Sequence, residues 1–82
     1  MTETVLQIKG TVRRDGEPVE GAYLTLLRSG ELIAERRTGP DGGYEFHTTP
    51  GAWSINCRAS GSDFAAKDVD APAGEVALDF DL

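Results

Sequence analysis

Apolar and polar residues alternate with a period of two along most of the chain, which places successive side chains on opposite faces of strands. From about Thr4 to Arg13, Leu6, Ile8, Gly10 and Val12 share one face, and Gln7, Lys9, Thr11 and Arg13 the other. Asp15, Gly16 and Pro18 turn the chain. In GAYLTLL the inward set is Ala22, Leu24 and Leu26, leaving Tyr23, Thr25 and Leu27 outward. Arg28 to Glu31 forms a tight connection into LIAERRT, where neither parity is cleanly apolar, as expected of an edge strand. Beyond the Gly39–Gly43 turn, Tyr44 and Phe46 oppose Glu45 and His47. After Pro50 and Gly51, Trp53, Ile55, Cys57 and Ala59 point inward against Ser54, Asn56 and Arg58. A looser strand covers Phe64 to Val69. The last alternates most strictly, with Val76, Leu78, Phe80 and Leu82 against Ala77, Asp79 and Asp81. Seven short strands, frequent turn signals and no helical periodicity predict an all-β, seven-stranded Greek-key β-sandwich.

At 82 residues the chain can enclose one core, so residues 1–82 are expected to form a single domain. Leu, Ile, Val and Phe make up about 22% of it, near the ~20% level at which highly charged chains become disordered. Tyr23, Tyr44 and Trp53 tip the balance toward a folded core. A net charge of −6 at pH 7 opposes binding to nucleic acid or to anionic membrane, both of which need clustered cations. Arg13, Arg14, Arg28, Arg36 and Arg37 fall at separate strand ends. The C-terminal third is acidic, with Asp63, Asp68, Asp70, Glu75, Asp79 and Asp81. One cysteine excludes an intramolecular disulfide and a multi-cysteine zinc site. The N-terminus lacks the cationic and apolar regions of a signal peptide, so a cytoplasmic protein is expected unless the chain is a module of a longer one.

The order IKGTVRRDGEPVEGA, TGPDGGYEF, PGAW resembles the carboxypeptidase-regulatory-like and Cna-B-like sandwich, of transthyretin-like (prealbumin-like) architecture, from about Val5 to Ala59. The segment GAYLTLLRSGELIAERRTGPDGGYEFHTTPGAWSINCRASG is similar to a family of small bacterial proteins of unknown function often encoded beside thiosulfate sulfurtransferases. That resemblance implies a cytoplasmic, non-enzymatic accessory connected with sulfur metabolism. A fold of this kind hosts many roles, so the residues must decide.

Several chemistries meet obstacles. Cna-B-like domains often close an isopeptide bond between a first-strand lysine and a last-strand Asn or Asp, helped by a buried acid. The resemblance puts the lysine position near Gly10 and the acid position at Cys57, while Lys9, Asp79 and Asp81 have outward parity. The iron of intradiol dioxygenases is held by two tyrosines and two histidines; here there is one histidine, and Tyr44 has core parity. His47 would need ligand partners, and those expected near it are Glu45 and, across the hairpin, Asn56 or Arg58. Cys57 shares inward parity with Trp53 and Ile55, where a thiol acts as a small apolar group. Gly42-Gly43 leads into a strand rather than a phosphate-binding helix, and Asp41 lacks the further carboxylates of a calcium loop.

The sequence therefore predicts a non-catalytic module, without cofactor or metal, that binds another protein as a monomer or weak dimer. Outward Tyr23 and Leu27, with Arg36 and Arg37 on the edge strand, form the candidate surface. Two rival readings are a carbohydrate-binding module, for which Trp53 would be the platform, and a sulfur carrier or thiol-dependent protein using Cys57.

Overall fold

The computed structural model describes residues 5–59 and 64–82. The Thr4 start expected for the first strand, and Asp63 of the acidic third, lie outside the described residues. Among these, nine strands occur and no helix: β1 (Leu6–Arg14), β2 (Glu17–Pro18), β3 (Tyr23–Arg28), β4 (Glu31–Arg37), β5 (Gly43–Thr48), β6 (Gly51–Arg58), β7 (Phe64–Ala71), β8 (Gly74–Ala77) and β9 (Phe80–Asp81). They form two sheets. One is antiparallel, in the order β4-β3-β6-β7. In the other, β1 is central, pairing antiparallel with β2 and β5 and parallel with β8 and β9.

Turn chemistry explains the hairpins. Asp15-Gly16 and Ser29-Gly30 both have positive φ at each residue, 52° and 81°, then 52° and 79°. Such a pair matches the twist of the strands that a two-residue loop joins, and glycine carries it at no steric cost. The Asp41 carboxylate accepts the Gly43 N–H at 2.9 Å, an Asx turn that starts β5.

Leu6, Ile8 and Val12 face Leu24, Leu26 and Ile55 across an interior closed by Phe46 and Phe80, all at most 1% exposed. Tyr44 stands edge-on to Phe46, with ring centroids 5.9 Å apart. The inward parities of β1, β3, β5 and β6 follow the alternation in the sequence.

Seven strands were expected and nine occur, in part because Glu17–Pro18, read as belonging to a turn, pairs with β1 as β2; two further features depart from the expected pattern. The last strand is not continuous: β8 and β9 keep one register against β1 but are separated at Leu78-Asp79. There the Asp79 side chain, not a backbone carbonyl, accepts the Thr11 N–H at 2.8 Å. The Leu78 carbonyl turns over Gly10 to take the Tyr44 hydroxyl. The second departure is a register shift between Leu26 and Leu27 that bulges β4.

Candidate functional site

Registers across the antiparallel sheet put named residues in rows on its outer face. Arg37, Tyr23, Arg58 and Phe64 stand side by side on β4, β3, β6 and β7. Glu35, Thr25, Asn56 and Ala66 form the next row, and Leu32, Leu27, Ser54 and Asp68 the one after. The first row alternates cation and ring. The Arg37 guanidinium lies 5.6 Å from the Tyr23 ring centroid and that of Arg58 5.9 Å from Phe64. Tyr23 donates its hydroxyl to Glu35, and this bond to a carboxylate raises the phenol pKa above its ordinary value.

A cleft of about 100 Å³ opens between the rings, lined by Tyr23, Thr25, Asn56, Arg58 and Phe64. At the opposite end, Leu27, Ser54, Asp68 and Asp70 border a wider concavity of about 390 Å³ over Trp53 and Val69. Ser54 donates to Asp68 there at 2.8 Å.

Of the four residues expected at the surface, Tyr23, Leu27 and Arg37 share this face. Tyr23 and Leu27 are half-buried between their neighbours. Arg36, one residue along, has the opposite parity and lies 5.6 Å from the Phe46 ring at the side of the core. Phe64, 55% exposed, was not singled out by the alternation. Its parity with the outward Arg58 becomes visible only once β6 and β7 are paired.

Both edges of the sheet are guarded. β4 carries the bulge and the charges Glu31, Glu35, Arg36 and Arg37, although Leu32 and Ile33 are 50% and 49% exposed. β7 carries Lys67 at its centre, which donates to the Asp79 carbonyl, and Asp68 and Asp70 beside it. A charged side chain, a bulge or both discourage pairing with a further strand.

The remaining candidates lie elsewhere. Trp53 is 4% exposed, donates its indole N–H to the Thr49 carbonyl at 2.8 Å, and is covered by Arg28 at 3.9 Å. Cys57 is fully buried, and desolvation pushes its thiol pKa up, away from the reactive thiolate. His47 pairs with Glu45 at 3.2 Å, and Gln7 holds the other carboxylate oxygen at 2.9 Å. Asn56 and Arg58, expected beside His47, are not: β5 pairs with β1, and β6 belongs to the other sheet. Lys9 points outward to Glu75 at 3.0 Å. Burial raises the Tyr44 pKa, as expected for a phenol held on core packing and a carbonyl.

Comparisons with solved structures agree on architecture. The dioxygenase domain of a dioxygenase carbohydrate-binding protein fusion from the cellulolytic bacterium Streptomyces sp. SirexAA-E is similar, with a TM-score of 0.76 at 16% identity, over 99% of this chain and 80% of that one. The Bacillus anthracis TIE protein is similar with a TM-score of 0.74 at 13% identity, over 94% of this chain and 17% of that one. At such identities the likeness is one of fold. No curated protein matches the chain. The sequence itself is more telling: a family model covers residues 1–79, nearly all the strands described above, and the chain belongs to the family described as "Protein of unknown function (DUF1416)".

Proposed function

We propose that the chain is a non-catalytic protein-interaction module whose contact surface is the outer face of the β4-β3-β6-β7 sheet. The observation that carries this reading is the row Arg37, Tyr23, Arg58, Phe64. It joins an exposed aromatic, a half-buried one and two arginines on one open face, while both edges of the same sheet are guarded. Tyr, Phe and Arg are residue types that supply binding energy at protein interfaces, and Leu27 and Leu32 extend the apolar area from the third row. The Gly10 approach and the turns at Asp15-Gly16 and Asp41-Gly42 support the transthyretin-like, Greek-key reading of the sandwich on which this face is displayed.

Buried Cys57 favours neither a thiol enzyme nor a sulfur carrier, so a link to sulfur metabolism rests on the sequence resemblance alone. Buried Trp53 leaves a sugar platform without its expected residue; a carbohydrate would have to stack on Phe64 and Tyr23 instead. The test is co-purification of the tagged protein from its own host, with mass spectrometry of what accompanies it. A specific partner should be lost on Tyr23→Ala with Phe64→Ala and kept on Lys9→Ala, which changes the other sheet. A partner retained by the outer-face variant and lost with the control would end the proposal.

A further inference from the structure

We infer that the cleft between Tyr23 and Phe64 receives a carboxylate from an acidic segment of the partner protein, with a neighbouring aromatic or apolar side chain of that segment laid on Phe64. The inference rests on the interaction reading above and supplies the chemistry of the partner.

Arg58 stands at the register position between the two rings, paired with Tyr23 on one side and Phe64 on the other. Among the described residues no carboxylate forms an ion pair with it or with Arg37; each contacts only a ring face. A guanidinium laid on an aromatic face keeps its N–H donors at the edge of its plane, free for a carboxylate that takes two of them at once. The other polar groups of the cleft are the Asn56 amide and the Thr25 hydroxyl, which can also donate. The acids nearest in the rows are turned to other tasks: Glu35 accepts the Tyr23 hydroxyl, and Asp68 accepts the Ser54 hydroxyl. Among the described residues the cleft thus gathers hydrogen-bond donors around one guanidinium, and no carboxylate lines it.

Its size and borders define the rest. About 100 Å³ is room enough for a carboxylate. The exposed Phe64 ring at the rim calls for an apolar companion. In an extended peptide, side chains two residues apart lie on one face, roughly 7 Å from each other, and adjacent strands of a sheet are about 4.8 Å apart. A segment of the form acid-x-aromatic, crossing from β6 to β7, therefore meets Arg58 and Phe64 together.

The test titrates the isotope-labelled full chain at low salt with two blocked peptides, Glu-Gly-Phe-Gly-Glu and Gln-Gly-Phe-Gly-Gln, following amide shifts by NMR. The acidic peptide should give saturable shifts at Thr25, Asn56, Arg58 and Phe64, and the Gln peptide should bind about tenfold more weakly or less. Arg58→Gln should cost a similar factor while leaving the unfolding midpoint in place, since the side chain is exposed. Equal binding of the two peptides, unchanged binding by Arg58→Gln, or absence of saturable shifts would each overturn the inference. Should the peptides fail while Tyr23→Ala with Phe64→Ala still abolishes capture of a host protein, the interaction reading stands and only the acidic chemistry falls. Capture that survives those two substitutions removes the interaction reading itself.

Discussion

Replacing Gly10 by alanine puts a methyl carbon where the chain already holds a carbonyl. A Cβ built on Gly10 lies 1.8 Å from the Leu78 oxygen and 2.5 Å from its carbonyl carbon, both backbone atoms. Ordinary contact needs roughly 1.5 Å more, so no rotamer change can relieve the overlap and β8 and β9 must move away from β1. The movement breaks bonds that meet at this point. The Tyr44 hydroxyl, on a residue 6% exposed, loses the Leu78 carbonyl, and the Thr11 N–H loses the Asp79 carboxylate. An unpaired buried hydroxyl costs about 1–3 kcal/mol, and a bond to a charged acceptor contributes about 1.5–3 kcal/mol. Gly10→Ala should therefore destabilise the protein by about 3–4 kcal/mol, a large share of the 5–15 kcal/mol typical of a whole domain. For a chain of this size that lowers Tm by roughly 15–25 °C.

The assay is urea and thermal unfolding followed by circular dichroism, with hydrogen exchange at the Leu78 and Leu82 amides, which donate to the Lys9 and Arg13 carbonyls. Tyr44→Phe alone should cost about 1–2 kcal/mol. The two changes together should cost less than their sum, because the alanine has already broken the bond that the phenylalanine removes. Gly10→Ala within about 0.5 kcal/mol of the parent, or strict additivity with Tyr44→Phe, would show that the close approach of Leu78 to Gly10 is not a structural constraint.

Other outcomes follow from the same structure. Thr38, 5% exposed, accepts the Ala22 N–H at 2.8 Å and donates to the Val19 carbonyl at 2.5 Å, so Thr38→Val should cost about 2–4 kcal/mol in urea unfolding and Thr38→Ser about 1 kcal/mol or less. Burial raises the pKa values of Cys57 and Tyr44 above their ordinary 9.0 and 10.0, so the folded state holds these protons more tightly than the unfolded chain. The stability they contribute is complete below pH 9 and falls as pH rises further; the urea midpoint should decline above about pH 9, and Cys57→Ala should remove the first part of the decline. A midpoint that rises there would contradict the burial of both groups. Cys57 should also resist thiol reagents in the native state and react at once in urea; fast native labelling would restore the thiol readings.

Much of the fold was legible because period-two alternation fixes which face a residue takes, and parity alone placed Ala22, Leu24, Leu26, Trp53, Ile55 and Cys57 inside. Alternation does not say which strand lies beside which. That is why Asn56 and Arg58 were expected near His47, although their strand is in the other sheet. It also hid Phe64, whose face has meaning only beside Arg58. The β4 strand gave no clean parity because both of its faces are largely exposed; its pairing with β3 separates Arg37, over Tyr23, from Arg36, at the side of the core. The break between β8 and β9 was invisible because a carbonyl turned over a glycine leaves the apolar pattern untouched. Gly10 read as an inward position of the first strand and as the place of a missing lysine, whereas its missing side chain makes room for Leu78.

Charge shows the same limit in a form that bears on function. A sum of −6 argues against anionic partners as long as the molecule is regarded from afar, where every charge counts alike. A bound group feels its surroundings only within a Debye length, about 10 Å at 0.1 M salt. Along β7, Asp68 is four residues from Phe64, roughly 13 Å at the rise of a strand, so it is largely screened from the row that holds Arg37 and Arg58. Glu35 is closer and keeps its charge while accepting the Tyr23 hydroxyl, so among the described residues it offsets one of the two guanidinium groups. Counted over the described residues, the row with Glu35 beside it thus keeps an excess of one positive charge, opposite to the protein's overall sign. Acidic partners that reach it should bind more weakly as salt is removed if long-range repulsion dominates, and more tightly if the row dominates; the second trend is the one the geometry requires.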